Sequence, residues 1–280
     1  MVTPPHPALP TANVRQRTLQ PIAVDAHAES HSVCSVSVVN TSTRLAVSDV
    51  SVCRAIHGLT VSGILVGMLA LMAVLDGSPR AAVLLLVLAQ VIDGVDGPLA
   101  RRFDIATVIP KYDGYILDLV IDYVTCVLVP AVFAWQFYVV PHGMSGEVSV
   151  ALMLITSAMW FSRTDMMTDD HWFRGFPGVW NMVIPTLWLL EAPGWVAITT
   201  IIVLSLLSMT DVEFAHPVQA RRWRPQNIGF MAVWVLTMVV LTIVDGERHL
   251  LTSLLLMAGP AWVAVSTLLR RLERRMTPIV

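Results

Sequence analysis

The chain is 280 residues long, 55% hydrophobic and only 14% charged, with a mean hydropathy of +0.68 and a formal net charge of −2. This composition excludes an ordinary soluble globular protein and indicates the membrane class, and the near-neutral charge gives no basis for a nucleic-acid partner. The three cysteines, Cys34, Cys53 and Cys126, have neither paired nor metal-ligand spacing, so no disulfide framework or zinc site is expected.

Residues 1–50 open with MVTPPHPALPTANVRQR and stay polar, rich in Ser, Thr and Pro. They lack the basic region, short apolar core and small-residue cleavage site of a signal peptide. They read as a largely disordered extension, with a start further downstream as the alternative. Residues 51–275 read as one transmembrane domain. Eight stretches, near 56–75, 80–98, 114–138, 148–164, 178–191, 194–210, 227–244 and 250–269, approach the roughly 20 apolar residues that a span needs. The fifth is weak, since it holds Asn181 and Pro185. DGSP (76–79), PHGMSGE (141–147), EAPG (191–194) and VDGER (244–248) mark the breaks. The expected fold class is therefore all-α, a polytopic transmembrane bundle of about eight helices. With the N-terminus placed inside, only Arg80 and Arg248 of the 18 Lys and Arg residues fall in outer loops. That bias predicts cytoplasmic N- and C-termini, the latter carrying the basic end RRLERR.

The cytoplasmic ends of the second and third spans contain QVIDGVDGPLARRFDIATVIPKYDGYILDLVIDYV, residues 90–124. Each carboxylate at the centre of a membrane helix costs about 2.5–3.5 kcal/mol, so Asp93, Asp96, Asp118 and Asp122 need compensation. Asp93 and Asp96 are three apart and share a helix face, as do Asp118 and Asp122, four apart. Gly97, Ala100 and Arg101 extend the first face and Gly114 begins the second. If the faces meet, four carboxylates converge beneath a patch with little side-chain bulk. Mg²⁺ or Mn²⁺ would relieve their repulsion, because both prefer oxygen ligands. Small residues would let a phosphate-bearing ligand approach the backbone, and Arg101 could pair with phosphate or hold a carboxylate. The pattern looks like a two-metal phosphoryl-transfer site. Plainer readings of its parts are a calcium-binding turn for DGxDG and close helix packing for the small residues.

Asp93-x2-Asp96-Gly97-x2-Ala100-Arg101 … Gly114-x3-Asp118-x3-Asp122 resembles the signature of the CDP-alcohol phosphatidyltransferase family. The spacing departs from the usual pattern in one place. Twelve residues, Arg102 to Asp113, separate the two halves, more than most members have. This insert could bring Arg102, Asp104 or Lys111 into the pocket. With DGPLARR, LDLVIDYVTCVLVPA, TDDHWFRGFPGVWN (168–181) and FAHPVQARRWRP (214–225), it is similar to the bacterial phosphatidylcholine synthase branch. The resemblance covers roughly residues 54 to 270. It implies transfer of the phosphatidyl group of CDP-diacylglycerol to the hydroxyl of choline, with release of CMP. It further implies a bacterial inner-membrane enzyme with its active site facing the cytoplasm, and a homodimer. Carried over position by position, Asp93, Asp96, Asp118 and Asp122 would hold two Mn²⁺ or Mg²⁺ ions, with Asp122 also the general base. Gly97, Ala100, Arg101 and Gly114 would form the nucleotide and phosphate site.

Choline is a fixed cation, commonly held by aromatic faces. Tyr115, Trp172 and Trp180 are the candidates, with negative charge supplied by Asp165, Asp169 and Asp170. The same aromatics also fit an interfacial belt. The basic stretch HPVQARRWRP fits either the ligand's phosphates or the positive-inside bias. Competing functions are transfer to serine, inositol or glycerol phosphate, an ion-coupled transporter that uses the aspartates as an ion path, and an inactive relative. Substrate flux without CMP release would mark the transporter.

Overall fold

The computed structural model describes residues 39–103, 113–244 and 249–276, with side chains from residue 51 onward except that of Arg101. Helices α1 (Val39–Leu75) and α2 (Pro79–Arg102) form an antiparallel pair. The helix α1 therefore begins inside the stretch read as a polar extension, and residues 1–38 lie outside the description. The turn between the two follows from its sequence. Gly77 takes φ +72°, while Ser78 N–H donates to Ala73 O at 2.8 Å and Gly77 N–H to Val74 O at 3.1 Å, closing α1 with a Schellman cap. Pro79 then opens α2, where its missing N–H costs nothing.

The third span is continuous over Gly114–Gln136 but not uniform. It comprises α3 (Gly114–Asp122), a π-helical stretch over Tyr123–Leu128 and α4 (Val129–Gln136). Pro130 supplies a reason for the widened turn, since its ring and missing N–H disrupt the preceding α-helical ladder. Asp113 caps α3 by accepting from Tyr115 N–H (3.0 Å) and Ile116 N–H (3.3 Å). Gly63 and Gly67 of α1 admit this span closely. A Cβ on Gly63 would lie 3.2 Å from Ile121, and one on Gly67 2.9 Å from Thr125.

The chain continues through α5 (Met144–Phe161), α6 (Trp180–Leu189), α7 (Gly194–Ser208), α8 (Arg224–Ile243) and α9 (Leu250–Met276). Among the described residues six helices are long and apolar enough to cross a membrane, against the eight spans expected. The fifth and sixth expected spans are α6, ten residues and about 15 Å, and α7, 15 residues and about 22 Å. Both fall short of a bilayer core of about 30 Å. The helix α6 is nevertheless central. Its Trp180, Met182 and Ile184 are buried in the main core, and Trp234 Nε1 of α8 donates to Thr186 Oγ1 at 2.9 Å.

A small sheet departs from a purely helical expectation. Strands β1 (Trp172–Arg174) and β2 (Glu213–Ala215) pair antiparallel, with Phe173 opposite Phe214. They lie in the loops after α5 and α7, where backbone groups without helical partners bond to one another. This cap is locked to the end of α9. Arg270 donates from Nη2 to Asp170 and from Nε to Glu213, both at 2.6 Å, and its guanidinium lies 4.9 Å from the Trp172 ring centroid. Arg163 binds Asp165 at 2.9 Å and Asp211 at 2.7 Å, and Arg222 pairs with Glu273. Burial pushes the Asp170 carboxyl up, but Thr168 and Arg270 outweigh it and hold it below the usual carboxylate value.

Two predictions follow from this packing. A Cβ on Gly259 would lie 2.5 Å from the Trp234 ring, whereas one on Gly229 meets nothing within 4 Å. Gly259→Ala should destabilise the α8–α9 contact by about 1–3 kcal/mol, and Gly229→Ala should not, as read by thermal unfolding of the detergent-solubilised protein. Because the Asp170 value is lowered on folding, its stabilisation is complete above the unfolded value of about 4 and is lost as pH falls through the folded one. Asp170→Asn should lower stability at pH 7, by about 1 kcal/mol or less for so exposed a carboxylate. The deficit relative to the parent should disappear in acid.

Candidate active site

Antiparallel packing of α1 on α2, and parallel packing of α1 on the third span, with Gly63 against Ile121 and Gly67 against Thr125, brings the end of α2 beside the start of α3. One carboxylate oxygen from each of Asp93, Asp118 and Asp122 lies within 4.8 Å of the other two. Asp93 belongs to α2, whereas Asp118 and Asp122 belong to α3, so both halves of the expected signature contribute. Asp96 is 5% exposed and lines the same cleft but stands outside the close trio. Thr60 and Gly63 of α1, Ala89 and Ile92 of α2, and Ile121 and Thr125 of the third span complete the lining.

At 4.8 Å, two full negative charges repel by about 3 kcal/mol at an effective dielectric of 20. Three such pairs together rival the net stability of a whole domain. A cation between them reverses the sign of this energy. The donor set is all carboxylate oxygen, which suits a hard divalent ion rather than a soft one. Gln90 Nε2 donates to Asp93 Oδ2 at 3.1 Å, and Asn181 Nδ2 donates to Gln90 Oε1 at 2.7 Å. The π-helical stretch begins immediately after Asp122, and such insertions are frequent at functional sites.

The small residues divide. Gly114 is exposed at the start of α3, and a Cβ there would reach only ordinary contact with His57, at 3.4 Å. Protein packing alone therefore does not demand glycine at this position. Ala100 packs with Leu99 against Cys53 and Ile56 of α1, and Gly97 is half-buried. Arg101 lies in the last turn of α2, but its side chain is outside the described residues, as are Asp104 and Lys111. Arg102 is exposed.

The three aromatic candidates separate as well. Tyr115 is 57% exposed, lies three residues before Asp118 on α3 and donates to Met166 Sδ at 2.9 Å. Trp172 is fully buried, with Arg270 over its ring. Trp180 is fully buried and donates to Ser157 Oγ at 2.8 Å. None of the three lines the aspartate cleft itself, but Tyr115 lies one helical turn from Asp118. Asp165 and Asp170, expected to add negative field for a cation, already hold Arg163 and Arg270. The Arg270–Asp170 pair, 100 residues apart, leaves no sequence signal.

Sequence reasoning missed Gly63, Gly67, Gln90 and Asn181. The Gly63-x3-Gly67 spacing was a readable sign of close helix approach. Asn181 was noticed only as a blemish in a weak span, and nothing in the sequence joins it to Gln90.

The sequence profile of the CDP-alcohol phosphatidyltransferases matches residues 57–207. The chain is 37% identical over 182 residues to a phosphatidylcholine synthase of Pseudomonas aeruginosa, covering 65% of this chain and 76% of the relative. It is 38% identical over 179 residues to one of Brucella melitensis, covering 64% of each. It is 33% identical over 226 residues to one of Bradyrhizobium diazoefficiens, covering 78% and 82%. With both halves of the signature on one cleft of an integral membrane bundle, this chain belongs to the CDP-alcohol phosphatidyltransferase family and is an enzyme of the phosphatidyltransferase class.

Proposed function

We propose that the protein is a phosphatidylcholine synthase that transfers the phosphatidyl group of CDP-diacylglycerol to the hydroxyl of choline and releases CMP. The observation that carries this reading is the meeting of Asp93, Asp118 and Asp122 within 4.8 Å. The names of the relatives support choline as the acceptor. Residues 51–275 form the catalytic domain in this reading. The aspartate cleft shares its end of the molecule with the arginine-rich cap, because Tyr115 of α3 reaches Met166 and Arg270 reaches Asp170. The positive-inside rule then favours the cytoplasmic face of a bacterial inner membrane, with both termini on that side. A homodimer is part of the same proposal.

Asp93, Asp96, Asp118 and Asp122 would hold Mn²⁺ or Mg²⁺, two ions in this proposal. When bound, such ions neutralise the diphosphate and the departing CMP oxygen. Asp122 accepts the proton of the choline hydroxyl as its oxygen bonds to the phosphatidyl phosphorus. The bond from that phosphorus to the CMP oxygen breaks, and CMP leaves with the electron pair. Gly97, Ala100 and Gly114 give the nucleotide and its phosphates access to the helix ends, and Arg101 pairs with phosphate. Trp172 and Trp180 are engaged within the fold, so Tyr115 is the aromatic best placed for the trimethylammonium group.

Purified protein given CDP-diacylglycerol, choline and Mn²⁺ should release CMP and form phosphatidylcholine. Serine, inositol and glycerol phosphate should yield no lipid product by mass spectrometry. EDTA should stop the reaction and Mn²⁺ should restore it. Asp122→Asn should lower kcat about 10²–10⁴-fold, and Asp93→Asn or Asp118→Asn should remove turnover. A lipid product from another acceptor, or CMP release unaffected by these variants, refutes the assignment. A cation–π contact is worth about 0.5–2 kcal/mol, so Tyr115→Leu should raise the choline KM about 2- to 30-fold and leave the CDP-diacylglycerol KM near its original value.

A further inference from the structure

We infer that Asn181 is a positioning residue that acts through Gln90 to fix the carboxylate of Asp93. The inference rests on the reading of the aspartate trio as a divalent-metal site. Asn181 is 2% exposed on the mostly apolar helix α6, where a polar side chain must be compensated. Its Nδ2 donates to Gln90 Oε1 at 2.7 Å, and Gln90 Nε2 donates to Asp93 Oδ2 at 3.1 Å. Asn181 Oδ1 is buried with no hydrogen-bond partner among the described residues.

The direction of this chain is set at its far end. An ionised carboxylate only accepts hydrogen bonds, so Gln90 must present its amide nitrogen to Asp93, which leaves its oxygen pointing away. A donor on α6 then stabilises that orientation against rotation of the amide, which would set two oxygens against each other. Asn181 supplies the donor. Its own oxygen remains unpaired among the described residues, which is costly for a buried acceptor. A buried amide kept despite that cost is explained by what its nitrogen does. The support is rigid, because α6 is pinned near both ends. Trp180 Nε1 donates to Ser157 Oγ at 2.8 Å, and Thr186 Oγ1 accepts from Trp234 at 2.9 Å. With one oxygen held by Gln90, the plane of Asp93 is fixed toward Asp118 and Asp122. Outer hydrogen bonds of this kind commonly change metal affinity about 10- to 100-fold.

The test uses the full chain in detergent without substrate and measures Mn²⁺ affinity from the free-ion EPR signal, alongside thermal unfolding of the metal-free protein. The variants are Gln90→Met, Asn181→Leu and the double substitution, all close to the original side chains in size. Each single substitution should weaken Mn²⁺ binding about 10-fold or more. The double should bind no more weakly than Gln90→Met, since Asn181 has no route to Asp93 except through Gln90. If Asn181→Leu does not fold, Asn181→Ala, which also removes the donor to Gln90, takes its place and decides by the same loss of affinity. Unchanged affinity in the variants, or losses that add in the double, overturns the relay while leaving the metal site intact. A parent protein that binds no Mn²⁺ overturns the metal reading, and the relay with it.

Discussion

The repulsion among carboxylates held within 4.8 Å of one another, at the ends of apolar helices, is the constraint on which the rest of this structure depends. Local stability alone does not retain such a cluster. Each acid resists insertion and each pair resists approach. The fold nevertheless spends specific features on bringing them together. Asp113 caps α3 at the point where the chain enters the site. Gly63 and Gly67 let α1 press against the Ile121 and Thr125 turn. The ladder widens to π geometry directly after Asp122, ahead of Pro130. None of these is needed to make an apolar bundle, and all of them act on the placement of the same few side chains.

The charged groups of the molecule fall into two environments. In the cap, carboxylates face arginines: Asp165 and Asp211 against Arg163, and Asp170 and Glu213 against Arg270. Those pairs neutralise one another and tie the loops after α5 and α7 to the end of α9. In the cleft, the oxygens of Asp93, Asp118 and Asp122 crowd one another, and Asp93 also accepts from an amide. The first arrangement is complete within the chain. The second is an all-oxygen cluster that suits a hard divalent cation, as the proposed function requires.

Much of this was legible because it is local. Helix spacing placed Asp93 with Asp96 and Asp118 with Asp122, and the fixed distances within each half of the signature survive as shared faces. Hydropathy located the helices α1, α2, α5, α8 and α9 and the composite third span. Hydropathy is least decisive for the two shortest apolar helices. The helices α6 and α7 are apolar enough to suggest spans, yet they are short, and the apolar side chains of α6 face other helices. The sheet was hidden because two three-residue strands carry no periodicity. Trp172 and Trp180 looked available because exposure is not a property of sequence. Their burial depends on Arg270 and Ser157, distant by 98 and 23 residues.

The short length of α6 also changes what Asn181 means. In a membrane span an isolated amide only adds cost, so its presence counted against the fifth segment. Once α6 is a short buried prop rather than a span, the sign of that argument changes. A prop is useful in proportion to what its tip holds in place, and a polar tip is the only kind that can reach a carboxylate network through hydrogen bonds. The truncated length and the misplaced amide are then one feature. A helix that need not cross the bilayer is free to end where the aspartates require a donor.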